Sequence, residues 1–144
     1  MKALIQRVSH AAVTVEGHTV GAIDQGVLIF LGVEPDDTQA ELEWLVDKVQ
    51  GLRIFADDDK PMNRSLVDIG GQALVVSQFT LAADTSRGRR PSFTTAAEPE
   101  LARQMYDDFV DRLGKHVPVR KGRFGADMQV SLVNDGPVTF MLER

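Results

Sequence analysis

Two short segments concentrate residues whose types and spacing suit chemistry. The first is Ser77-Gln78-Phe79-Thr80-Leu81, which sets two hydroxyls, an amide and an aromatic ring at the end of an apolar run. Read as a continuing strand, alternation puts Ser77 and Phe79 on one face and Gln78 and Thr80 on the other. Such a cluster can bind a carbonyl or a ribose and donate to an oxyanion. A hydroxyl there could also be a nucleophile, although no partner base stands near it in the sequence. The plainer alternative is a strand end whose hydroxyls bond to backbone. The second segment is Asn134-Asp135-Gly136-Pro137-Val138-Thr139. Its composition reads as a hairpin loop and needs no functional account. A Gly-Pro bond becomes cis at modest cost, which turns neighbouring carbonyls the same way and could make a rigid backbone probe.

The familiar catalytic arrangements are missing. His10, His18 and His116 are scattered, with no HExxH spacing, and GxSxG, Walker A and GxGxxG patterns do not occur. With no cysteine, disulfides, thiolate metal sites and cysteine nucleophiles are excluded. Asp57, Asp58 and Asp59 lack the alternating ligands and closing Glu of a calcium loop, so a solvated turn is the better reading. No metal and no cofactor is expected.

The elements that must position these segments follow from periodicity. The chain has 144 residues, enough for one domain spanning 1–144. Strands are expected at 2–9, 11–16, 19–23, 27–33, 53–56, 72–81, 117–121, 128–133 and 138–143, with the last two joined by the Asn134-to-Pro137 loop. The apolar run at 27–33 suggests burial on both faces. Helical spacing runs through 35–53, where Thr38 and Glu41 match a capping box, and through 99–113, with Pro99 at its start and Gly114 at its stop. Residues 82–97 read as a long functional loop. The fold class is α+β: a mostly antiparallel curved sheet or barrel-like core with two main helices packed against it.

Net charge is −5, so a general nucleic-acid coat is disfavoured, and any nucleic-acid partner needs a local basic patch. Arg87, Arg89 and Arg90 form one cluster, and Arg120, Lys121 and Arg123 another. The early polar residues exclude a signal peptide, and no run is long enough for a membrane helix, so the expected place of work is the cytoplasm.

Taken together, Ser77 to Leu81 and Asn134, Gly136, Pro137 and Thr139 are far more specific than either alone. The chain resembles the D-aminoacyl-tRNA deacylase family from end to end, and the segment Phe124-Gly125-Ala126-Asp127-Met128 looks like that family too. The resemblance implies hydrolysis of the ester joining a D-amino acid, or wrongly attached glycine, to the terminal adenosine of tRNA. It implies a homodimer with active sites at the subunit interface. It also implies a cis Gly136-Pro137 peptide reaching into the other subunit to reject L-aminoacyl esters, with Arg7 fixing that loop. Ser77, Gln78, Phe79 and Thr80 then form the catalytic pocket, and the substrate's own 2′-hydroxyl assists. Thr80 is read as a pocket residue before a nucleophile. Phe124 and Met128 are expected at the adenine, and Arg87, Arg89, Arg90, Lys121 and Arg123 at tRNA phosphates, with neither DNA nor a membrane as partner. Two rivals stand beside this reading. One is a relative that clears L-alanine through a trans Gly-Pro peptide; the other is a non-catalytic module that caps tRNA ends.

Overall fold

The computed structural model describes residues 1–144. Its strands are β1 (Lys2–Val15), β2 (His18–Ile23), β3 (Gly26–Gly32), β4 (Gln72–Ser77), β5 (Val119–Lys121) and β6 (Gln129–Glu143). The helices are α1 (Gln39–Gly51) and α2 (Pro99–Leu113), and a single 3₁₀ turn covers Phe79–Ala82.

One sheet holds all six strands, in the order β2-β1-β3-β4-β5, with β6 along the other edge of β1. β1 runs antiparallel to β2, β3 and β6, whereas β3-β4 and β4-β5 are parallel. The sheet is therefore mixed. It curls until β2 meets β5: a Cβ on Gly21 would stand 2.7 Å from the Lys121 carbonyl oxygen. Glycine lets the two ends of the strand path close to a barrel-like core. The expected α+β class holds.

The central strands bury both faces, as their unbroken apolar runs require. Val27, Ile29 and Leu31 of β3, with Ala73 and Val75 of β4, join a cluster of 25 residues that includes the apolar stripes of α1 and α2. Leu28, Leu74 and Val76 face the other way, into a cluster of eight with Val8, Ala11, Val13, Val15 and Ile23.

Both helices form where their period and caps lie. Thr38 Oγ1 accepts from the Ala40 N–H at 3.2 Å, and Glu41 Oε2 accepts from the Thr38 N–H at 2.9 Å. The Thr38 hydroxyl also donates to Glu41 Oε2 at 2.5 Å, and this bond first, then the Thr38 N–H, holds the Glu41 carboxyl below its ordinary pKa. Leu42, Leu45, Val46 and Val49 are the buried stripe of α1. In α2 the buried face is Ala102, Met105, Tyr106, Phe109, Val110 and Leu113.

The strand count differs from the nine short strands expected. Residues 2–9 and 11–16 are one continuous β1, because β6 pairs with nearly its whole length. Its buried alternation changes phase around Val8, where the ladder is irregular, and this slip mimics a break in the sequence. The first hairpin turns at Glu16 and Gly17, both at positive φ, one residue earlier than expected. Residues 53–56 supply only an isolated bridge, Phe55 with Arg64. Residues 128–133 and 138–143 do not fold back on each other. They belong to the single strand β6, and Asn134 to Pro137 is an excursion within it.

Tyr106 ties α2 to the sheet. Its hydroxyl donates to the Val75 carbonyl oxygen at 2.9 Å, and the Gly122 N–H donates to the same oxygen at 2.9 Å. Burial pushes the phenol pKa far up, so the group stays a donor. Tyr106→Phe leaves Val75 one of its two donors. The expected cost is about 1 kcal/mol in urea unfolding; no measurable loss would show that the bond adds nothing net.

Candidate active site

A cleft of about 510 Å³ opens at the ends of β3 and β4. Ser77, Gln78 and Phe79 form one wall, Phe124 and Met128 stand on another, and Ala97 and Ala102 lie at the start of α2's side. Most of its lining is apolar, and its one ionisable lining residue is Asp127, which is exposed. Five of the residues marked in the sequence thus meet in one concavity.

The end of β4 shapes the cleft. The Gln78 N–H still donates to the Leu31 carbonyl at 2.8 Å, and there the ladder stops. The chain then folds over Gly32: a Cβ at that position would meet Leu81 Cβ at 3.1 Å and the Gln78 oxygen at 3.2 Å. The strand expected to run to residue 81 therefore ends at Ser77, and the two-face alternation of Ser77, Gln78, Phe79 and Thr80 does not arise. Thr80 is exposed and does not line the cleft; its hydroxyl accepts from Gln78 Nε2 at 2.5 Å. The N–H groups of Phe79 and Thr80 open the 3₁₀ turn, so the turn itself supplies them no acceptor. Phe79 is 55% exposed and packs edge-on against Phe93, with ring centres 5.1 Å apart.

On the opposite wall Phe124 lies 5.9 Å from the Tyr106 ring. The Arg103 guanidinium sits 5.9 Å from the Phe124 ring centre. Sequence reading missed Arg103 and Phe93. Arg103 occupies the polar flank of a helix stripe, and Phe93 a loop without periodicity, so neither carried a signal.

The second motif lies elsewhere on the chain, and none of residues 134–139 lines the cleft. Val8 pairs with Asn134 and Gln6 with Thr139, so β6 has more chain than β1 can match and pushes Asp135 to Pro137 outward, while Val138 turns back into the core. The Gly136–Pro137 peptide is cis, and both residues are exposed. Asn134 closes the base of this loop: its Nδ2 donates to the Arg7 carbonyl at 2.9 Å and to the Val138 carbonyl at 3.1 Å. Arg7, only 12% exposed, donates through Nη1 to the Ile54 carbonyl. Its Nε lies 2.8 Å from Asp135 Oδ2, an ion-pair contact outside hydrogen-bond alignment.

The residues of the two basic clusters, Arg87, Arg89 and Arg90 and then Arg120, Lys121 and Arg123, are all exposed. Arg87, Arg89 and Arg90 ride a loop tied at its neck by Asp84 N–H to Ser92 O (2.8 Å) and Ser92 N–H to Asp84 O (2.9 Å). Lys121 Nζ is 3.1 Å from Asp107 Oδ1, a surface pair that offsets part of its charge, whereas Arg120 and Arg123 make no ion pair. The Asp57 carboxylate organises its own turn, accepting from the Asp59 and Lys60 N–H groups at 2.9 and 2.7 Å. Those bonds, with a larger contribution from the Asn63 amide, hold its pKa below the usual carboxylate range.

The geometry can hold a flat apolar group between Phe124, Met128 and the end of β4, and can present backbone donors beside it. It offers no His–Ser or Cys–His pair.

Comparison with known proteins identifies the family and agrees with the fold. Residues 4–143 match the family described as D-Tyr-tRNA(Tyr) deacylase. The chain is 60% identical to a D-aminoacyl-tRNA deacylase of Shewanella loihica and 57% identical to one of Saccharophagus degradans, each over 99% of both chains. A solved structure described as c-Myc DNA Unwinding Element Binding Protein superposes with a TM-score of 0.95 at 42% identity, covering 100% of this chain and 99% of its own. A second, described as a probable eukaryotic D-amino acid tRNA deacylase, shares the fold with a TM-score of 0.84 at 18% identity, over 98% and 97% of the two chains. The chain belongs to the D-aminoacyl-tRNA deacylase family, hydrolases that cleave the ester between a D-amino acid and its tRNA.

Proposed function

We propose that residues 1–144 act as one domain in a cytoplasmic homodimer, and that each cleft receives the aminoacyl-adenosine end of a tRNA. The observation that carries this reading is the convergence of Ser77, Gln78, Phe79, Phe124 and Met128 in the cleft, away from the Gly136-Pro137 loop. A second copy reconciles the two motifs, because its loop can complete a cleft that its own chain leaves open. Exposed apolar residues on β6 support such a pairing: Val133, Phe140 and Met141 are 48%, 39% and 44% exposed.

In this reading adenine packs on Phe124 and Met128, and backbone N–H groups at Phe79 and Thr80 donate to the ester oxygen as it gains charge. Water attacks the carbonyl carbon, the bond to the ribose oxygen breaks, and that oxygen leaves with a proton. The products are the free amino acid and tRNA, with the neighbouring 2′-hydroxyl assisting. An aminoacyl ester is already activated, so placement and oxyanion stabilisation suffice without a side-chain base. The partner's loop presents backbone carbonyls to the substrate ammonium and leaves no room for an L side chain. Glycine has no side chain to clash, so glycyl-tRNA is cleaved as well. Arg87, Arg89, Arg90, Lys121 and Arg123 meet phosphates without reading sequence. One relative's name speaks of a DNA element; the full-length match to D-aminoacyl-tRNA deacylases favours tRNA here.

The test is ester release from D-Tyr-, Gly-, L-Tyr- and L-Ala-tRNA by the purified chain. D-Tyr and Gly are expected to leave and both L esters to persist. Release of L-Ala without D-Tyr, or tRNA binding with only spontaneous ester decay, overturns the reading.

Two variants probe the mechanism. Asn134→Ala unties the loop base and is expected to raise L-Tyr relative to D-Tyr release by about ten-fold. An unchanged ratio counts against the loop as the selective wall. Thr80→Ala is expected to keep kcat within about ten-fold of the parent, since the hydroxyl is bonded to Gln78 and lies off the cleft. Complete loss with normal folding and tRNA binding restores a covalent route through Thr80.

A further inference from the structure

We infer that Phe93 and Phe79 form a stacking platform for the unpaired nucleotides that precede the terminal adenosine of the substrate tRNA; this rests on the function proposed above. Phe93 is 41% exposed and Phe79 55% exposed, and their rings meet edge-on with centres 5.1 Å apart. Water thus reaches much of two large apolar rings, a surface that usually has a partner. The pair continues the cleft outward, since Phe79 and Ala96 both line it and the Ala96 N–H donates to the Phe93 carbonyl at 3.1 Å. Thr95 Oγ1 donates to the Ala82 carbonyl and fixes this stretch to the end of the 3₁₀ turn.

The charge beside the platform selects its occupant. The neck formed by Asp84 and Ser92 ends one residue before Phe93, and the loop it closes carries Arg87, Arg89 and Arg90, all exposed. On a chain of net charge −5, three free guanidinium groups next to two exposed aromatic faces match a polyanion with flat bases. Aromatic faces that take bases while cations track the backbone are how single-stranded nucleic acid is held without sequence preference. A duplex stacks its own bases and could not use the rings. The platform therefore suits a single-stranded 3′ tail entering the cleft.

The experiment compares two esters of one D-amino acid, D-Tyr-tRNA and D-tyrosyl-adenosine, which lacks every nucleotide but the last. The ratio of kcat/KM on the first to that on the second is measured for the parent, Phe93→Ala and Phe93→Trp. In Phe93→Ala the ratio is expected to fall about ten-fold through KM; in Phe93→Trp it is expected to stay within about two-fold, because a larger ring restores stacking. An unchanged ratio in Phe93→Ala overturns the platform, and so does an equal fall on both esters, which would mean that Phe93 only props up Phe79. A change in the mass of the assembly on removing the ring, with the ratio unchanged, would assign the surface to a second copy instead. A parent that cleaves neither ester would defeat the underlying function, a result separate from failure of the platform.

Discussion

The pairing of β1 with β6 is the constraint on which the rest of the molecule depends. β1 carries β3 and then β2 along one edge and β6 along the other. It cannot shift for one neighbour without breaking register with the others. Between Gln6 and Val8 it advances a short way while β6 travels from Asn134 to Thr139. The surplus chain has to leave the ladder, and it leaves as the Gly136-Pro137 loop. An excess placed inside a long, well-paired strand is held at both ends by one ladder, that of β6 on β1. Asn134 and Arg7 then hold that loop's base to β1 and to the Ile54 carbonyl. The loop inherits the rigidity of the sheet.

The cleft is the complementary case, a place where pairing stops. β3 and β4 run parallel up to Leu31 and Ser77, and the chain then turns over Gly32. In a sheet with parallel strands, the strand ends are where backbone groups lose their ladder partners. Here the loss coincides with a mostly apolar hollow, so uncommitted N–H groups at the opening of the 3₁₀ turn lie beside poorly hydrated surface. Hydrogen bonds gain strength as water is withdrawn. A site of this kind needs few functional side chains.

The parts legible in the sequence are those fixed by local physics. Thr38 and Glu41 announce α1, Pro99 and the stripe to Leu113 announce α2, and the run through Val27 to Leu31 announces burial on both faces. The parts misread are those decided by distant neighbours. Asn-Asp-Gly-Pro has the composition of a turn, yet β1 holds the flanking residues in one strand. Ser77 to Leu81 continues an alternating pattern, yet packing over Gly32 bends it away. For the candidate site, residue types picked out Ser77, Gln78 and Phe79, and the family resemblance added Phe124 and Met128; these five do converge. They also picked out Thr80, which lies beside the cleft rather than in it. Phe93 escaped because a ring in an aperiodic loop gives no pattern until Phe79 is seen against it.

These two features bear on how an enzyme can accept many side chains and still refuse one hand. The groups common to every D-aminoacyl ester are the ammonium, the Cα–H and the carbonyl. Side chains of the protein are poor gauges of them, because rotamers relax around a clash at modest cost. Backbone locked into a sheet relaxes far less, so a misplaced substituent meets a wall. The chain builds such backbone where β6 overruns β1, and exposes it away from its own cleft. In the proposed dimer, rigidity comes from one protomer's longest ladder and the reacting groups from the end of a short one on its partner. Their separation on the chain lets each be shaped without disturbing the other: the loop answers to register, the cleft to packing. In the proposed dimer, discrimination would depend on how firmly two copies dock, since any play at the interface widens the gap that an L side chain must find closed.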